Sequence, residues 1–109
     1  MWIFTKHGFV SIVEDRNNLG YLLVRAREQT PLRKLFLGHQ IFHTPVADYP
    51  YRVRVKQGHV ASVIDNEIRK IHYSNFKDSI KDNEDYHDLL MEIWYICNLW
   101  YRVCTRLKK

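Results

Sequence analysis

Lys6, His7 and Ser11 are the residues whose types and spacing come nearest to reaction chemistry: an ammonium, an imidazole and a hydroxyl in one short stretch. Alternation along an extended chain would put His7, Phe9 and Ser11 on one face, with Lys6 opposite unless Gly8 shifts the register. Arginines from neighbouring strands could complete an anion site. Cleavage of a phosphodiester without metal needs little more than a histidine and cations, with His7 as acid or base. The remaining histidines do not extend this set. His39 and His43 are four apart, but Gly38 and the β-branched residues around them argue against the helix that would align them. Neither a Cys-x-x-Cys pair nor a His-Glu-x-x-His run accompanies them, so no metal is expected. Four scattered glycines build no phosphate-cradling loop, and no cofactor is expected.

Binding chemistry has a better foundation. In Tyr51-Arg52-Val53-Arg54-Val55-Lys56, apolar and basic residues alternate with period two, as in a strand with one buried face. The stretch from Tyr21 to Arg27 repeats the pattern. Leu22, Val24 and Ala26 share one face, while Arg25 and Arg27 share the other with Tyr21 and Leu23. In one sheet with matched faces, Arg25, Arg27, Arg52, Arg54 and Lys56 would form two adjacent basic rows, with Tyr21 and either His7 or Phe9 among them. Guanidinium forks pair with phosphates, and rings stack on unpaired bases. A competing arrangement covers this face with a loop or the last helix. Glu84, Asp85, Asp88 and Glu92 would then pair with the arginines, making the rows structural salt bridges.

The elements that must position these residues are those of an α+β fold: a small antiparallel sheet of three to four strands, helices on one face, and a long C-terminal helix. Trp2 to Val13, rich in aromatic and β-branched residues, reads as one long bent strand or two short ones, with Gly8 at a bulge or close backbone approach. Asp15 to Gly20 is a turn cluster leading to the Tyr21 strand. Thr30 and Pro31 read as N-cap and first helical residue, with Leu32, Leu35 and Phe36 as the buried stripe and Gly38 as the stop. Gln40 to Pro45 holds a short strand, and Gln57-Gly58 is expected to break the Tyr51 strand. His59 to His72 is an amphipathic helix on Val60, Val63, Ile64, Ile68 and Ile71. Ser74 would cap a short turn carrying Phe76 and Ile80.

In the last helix Tyr86, Leu90, Ile93, Cys97, Trp100, Cys104 and Leu107 alternate spacings of four and three, an unbroken apolar seam. Leu89, Ile96 and Val103 widen it. Trp94, Tyr95 and Tyr101 lie beyond it and offer a surface to a protein partner or a second copy.

The 109 residues read as one domain, 1–109, with 46% apolar and 27% charged residues, the composition of an ordered globular chain. A net charge of +5 and an isoelectric point near 9.3 favour anionic partners. Cys97 and Cys104 are seven apart, ~10 Å along a helix, too far for a disulfide within it. Thiols fit a reducing compartment. The opening residues lack the apolar stretch of a secretion signal, and Glu92, Asn98 and Arg102 interrupt the longest apolar run. A cytoplasmic protein with no membrane contact is expected.

As a set, Phe4-Thr5-Lys6-His7-Gly8-Phe9, Val24-Arg25-Ala26-Arg27, Ala47-Asp48-Tyr49 leading into Tyr51-Arg52-Val53, and Tyr73-Ser74-Asn75-Phe76-Lys77 resemble a family of small uncharacterised bacterial proteins. Those proteins begin with a Phe-Thr-Lys-His-Gly-Phe stretch and end in a Trp- and Tyr-bearing helix like Trp94 to Tyr101. The resemblance spans nearly the whole chain and implies a common fold; the family carries no established activity. It also implies that Lys6, His7, Arg25, Arg27, Asp48, Tyr49, Arg52, Asn75 and Lys77 belong to one pattern, which adds Lys77 to the candidate anion contacts. His72 departs from that pattern, standing where an acidic residue is expected.

The leading expectation is therefore a nucleic-acid-binding module for single strands or RNA, acting through Arg25, Arg27, Arg52, Arg54, Lys56, Tyr21 and Lys77. The second is a protein-interaction or inhibitor module acting through Trp94, Tyr95 and Tyr101. The third is a metal-independent nuclease centred on His7 and Lys6.

Overall fold

A computed structural model describes residues 1–107. They form two compact units, Met1–Ile71 and a second beginning at His72.

The first unit is built on β1 (Trp2–Thr5), β2 (Gly8–Glu14), β3 (Tyr21–Ala26), β4 (Phe42–His43) and β5 (Tyr51–Lys56), an antiparallel sheet in the order β1-β2-β3-β5-β4. Five strands therefore replace the three to four expected. The aromatic N-terminal stretch folds back on itself at Lys6-His7, and the two residues Phe42 and His43 add a short edge. Gly8 makes the first hairpin possible. Its φ is +137°, and a Cβ there would lie 3.1 Å from the Pro31 side chain. Thr5 closes the turn, its Oγ1 donating to the Gly8 carbonyl at 2.8 Å and accepting the His7 N–H at 3.1 Å.

One face of the sheet, carrying Val10, Ile12, Val24, Ala26, Val53 and Val55, packs against α1 (Thr30–Leu35) and α2 (Gln57–Arg69). Leu32 and Leu35 of α1, Phe36 just beyond it and Val60 of α2 complete the core. Removing these side chains from water supplies the main drive to fold, ~25 cal/mol for each Å² of apolar surface.

Several boundaries differ from expectation for identifiable reasons. Gln29, not Thr30, is the N-cap of α1, and no side chain caps it. The helix ends at Leu35, and Gly38, at φ +87°, shapes the turn that follows. The Tyr51 strand ends at Lys56, directly before Gln57-Gly58 as expected, but those two residues already open α2, ahead of the expected start at His59. Ile68 and Ile71, expected in the core, are 60% and 51% exposed. Ile68 instead borders an open apolar groove of about 550 Å³ with Ile3, Ile12, Leu22 and Ile64.

The second unit comprises α3 (Phe76–Ser79) and α4 (Glu84–Leu107). Asn75, rather than Ser74, caps α3, its side-chain oxygen accepting the Asp78 N–H at 3.3 Å. Asn83 does the same for α4 through the Tyr86 N–H at 3.0 Å, and Glu84 and Asp85 sit where the helix dipole favours anions. The expected apolar seam is buried only near its start. Leu90 is 5% exposed, but Cys97 is exposed and Trp100 is 67% exposed. A four-residue α3 is ~6 Å long and α4 is ~36 Å long, so α3 covers only part of it. The side chain of Leu107 lies outside the described residues. Among the described residues, no helix is long and apolar enough to cross a membrane.

Candidate functional site

Strand pairing decides which side chains meet on the sheet face turned away from α1 and α2. Arg25 stands opposite Arg52, Leu23 opposite Arg54, and Tyr21 opposite Lys56. On the β2 side, Ser11 faces Arg25 and Val13 faces Leu23. Farther out, Phe4 faces Phe9 and Trp2 faces Ser11, while at the other edge Phe42 faces Arg52. Directly paired residues point to the same side of a sheet. The face therefore grades from an aromatic half on β1 and β2 to a basic half on β3 and β5.

Its aromatic half is ordered. Phe4 and Phe9 stack with centroids 4.7 Å apart, and Trp2 meets Phe9 edge-on at 5.9 Å. Trp2 is nevertheless 70% exposed, because it lies on the edge strand. Tyr49, carried in by the loop before β5, joins the two halves. Its ring lies 6.2 Å from that of Phe9, and the Arg25 and Arg27 guanidinium carbons lie 4.7 and 5.1 Å from its centroid. Cation–π contact of this kind holds a guanidinium in place while leaving its edge N–H groups available.

The basic half is partly committed to internal bonds. Arg25 donates to Ser11 Oγ at 2.9 Å, and its Nε is buried without a protein acceptor. Arg52 Nε donates to the Tyr49 carbonyl at 3.2 Å. Arg27 lies 3.5 Å from Asp48 in an exposed pair. Arg54 donates to Asp15, whose side chain is almost wholly buried in the turn before β3. Burial pushes the Asp15 carboxyl up. Hydrogen bonds from Arg54, the Asn17 N–H and Asn18, with the Arg54 charge, outweigh that and hold it below the ordinary carboxylate value. Lys56 is exposed and its ammonium has no described partner. A guanidinium carries five N–H donors, so one internal bond leaves most of each fork for a phosphate.

The residues proposed for acid–base chemistry are divided between the two sides of the sheet. Phe9 and Ser11 do share a face, but His7 sits in the β1–β2 turn with Nε2 3.1 Å from Glu67 Oε1 on α2. Ser11 is 1% exposed and accepts from Arg25. Lys6 is exposed in the same turn as His7. His39 stacks on His59 at 5.2 Å, whereas His43 stacks on Tyr51 at 4.7 Å. Among the described residues no group of three or more His, Cys, Asp or Glu side chains is placed to hold a metal ion.

The other candidates belong to the second unit. Lys77 Nζ lies 3.2 Å from Asn75 Oδ1 and 5.3 Å from the Trp94 ring centroid. Trp94, Tyr95 and Tyr101 are 53%, 60% and 63% exposed along α4.

Comparison of the chain with protein-family models, with curated proteins and with solved structures finds no match. Function rests on the residues themselves. Trp2, Phe4, Phe42 and Asp15 enter the site only through the structure. A signal for the first two is present in the sequence: a two-residue turn at Lys6-His7 reverses the chain and brings Trp2 and Phe4 onto the face of Phe9 and Ser11.

Proposed function

We propose that the protein binds single-stranded nucleic acid, RNA or DNA, across the sheet face away from α1 and α2. The observation that carries this reading is the register that sets Arg25 against Arg52 beside the stacked Phe4–Phe9 pair. Arg27, Arg52, Arg54 and Lys56 would track phosphates, while Trp2, Phe4 and Phe9 offer apolar ring surface to unpaired bases. Bases in a duplex are already stacked and cannot lie flat on such a surface, so single strands are favoured. The net charge of +5 supplies long-range attraction. Cys97 and Cys104, both free thiols, fit a reducing compartment as the place of action.

Fluorescence anisotropy tests this with labelled single-stranded RNA, single-stranded DNA and duplex across a salt series. Four phosphate contacts give a slope of log K against log salt of about −2.8, at ~0.7 per contact for single strands. Removing Arg27 and Lys56, both exposed, as Arg27→Gln/Lys56→Gln reduces the slope to about −1.4. Absence of binding to any strand at ~50 mM salt overturns the proposal.

A further inference from the structure

The half of α4 from Ile93 to Cys104 is apolar on nearly every side. Between Ile93 and Cys104 only Asn98 and Arg102 are polar or charged. A helix of that kind is buried against something, and α4 is not long and apolar enough to cross a membrane.

Leu89, Ile93, Ile96, Trp100 and Val103 follow spacings of four, three, four and three, the repeat that keeps one seam facing a partner helix. Leu89, Ile96, Trp100 and Val103 are 41%, 62%, 67% and 49% exposed. Together they leave on the order of 450 Å² per chain accessible, with ~150–250 Å² for a full aromatic side chain as the scale. With Leu99, Cys97 and the stems of Glu92 and Arg106 at the margins, a symmetric pair would bury about 1,200 Å² in total, the lower bound for a specific interface.

Charge fixes the direction of pairing. Glu92 and Arg106 occupy equivalent flanking positions fourteen residues apart, ~21 Å along the helix, and cannot reach each other within one chain. In an antiparallel pair with Ile96 packed on the partner's Trp100 and Ile93 on the partner's Val103, Glu92 of each copy lies beside Arg106 of the other. A parallel pair sets Glu92 beside Cys97 and leaves both charges without a complement. The same antiparallel register brings the two Cys97 side chains together across the two-fold axis and holds the two Cys104 side chains ~18 Å apart along the helix direction.

We propose that the protein is a homodimer in which two α4 helices pair antiparallel along Leu89, Ile93, Ile96, Trp100 and Val103. This inference does not rest on nucleic-acid binding. Its test is sedimentation velocity of the full chain over a concentration series, with cross-linking by a short bismaleimide. A reversible dimer is expected, linked through Cys97: Cys104→Ser keeps the cross-link and Cys97→Ser abolishes it. Glu92→Arg weakens the dimer about tenfold by replacing two attractive pairs with repulsive ones, and Glu92→Arg/Arg106→Glu restores it. Both residues are exposed, so circular dichroism should show unchanged helix in either variant. A monomer at every concentration overturns the proposal. So does a dimer that links through Cys104 or ignores the charge reversal.

Discussion

Replacing Trp2 with alanine separates binding from folding more cleanly than any other change on the sheet face. Trp2 is 70% exposed, so under a third of its surface is engaged in the fold. With ~250 Å² for a tryptophan side chain and ~25 cal/mol per Å², that contact contributes at most about 2 kcal/mol to stability. A stacked base on the same ring is worth about 1–3 kcal/mol. Single-strand affinity should therefore fall about 5- to 150-fold in Trp2→Ala. Duplex affinity should barely change, and neither should the salt slope, because no cation is removed. Trp2→Phe keeps a ring and should recover most of the loss. Anisotropy with single-stranded and duplex probes gives the affinities, and urea denaturation confirms the folded fraction. Equal losses for both probes in a folded variant would refute stacking, as would unchanged single-strand binding.

Two further predictions concern what holds the site in shape. Gly8→Ala should destabilise more than Gly20→Ala: both positions have positive φ, but only at Gly8 does a Cβ meet another residue, 3.1 Å from Pro31. A loss of about 1–3 kcal/mol is expected at Gly8; equal losses in urea denaturation would show that the Pro31 contact is unimportant. The Asp15 carboxyl is held below its ordinary value of 3.8 in the folded state, so its contribution to stability is present above that value and is lost as pH falls through the lower folded value. The gap in melting temperature between wild type and Asp15→Asn should therefore close on acidification below about pH 4. Parallel acid limbs would place the acid sensitivity elsewhere.

The basic rows were legible because alternation is a local property: in Arg52-Val53-Arg54-Val55 every second residue must share a face, whatever its neighbours do. Their alignment with Arg25 was not, since register depends on the chain between the strands, including α1 and β4. The first hairpin was half legible. Gly8 marked a special backbone position, but Phe4 to Phe9 reads equally as a continuous strand until Thr5 closes the turn on His7 and Gly8. That ambiguity hid the aromatic half of the face and also misplaced His7, which turns toward Glu67 on α2. The seam of α4 shows the opposite error. Its periodicity announced an apolar side correctly, but periodicity cannot say what covers it, and α3 is too short to do so beyond the first turns. Tyr49 shows why contacts across the sheet escape a linear reading. Twenty-odd residues separate it from Arg25 and Arg27, and only the loop before β5 brings its ring between them.

Binding across the sheet face is tested most directly by a map of where a single strand lands. Isotope-labelled protein titrated with a short oligouridylate, followed by amide and indole chemical shifts, reports every strand and helix at once. Binding across the sheet face should perturb the Trp2 indole, Phe4, Phe9, Arg25, Arg52 and Lys56, with Val60 to Ile64 of α2 unmoved. Shifts concentrated on α2 or α4, with the Trp2 and Arg52 signals unchanged, would contradict it.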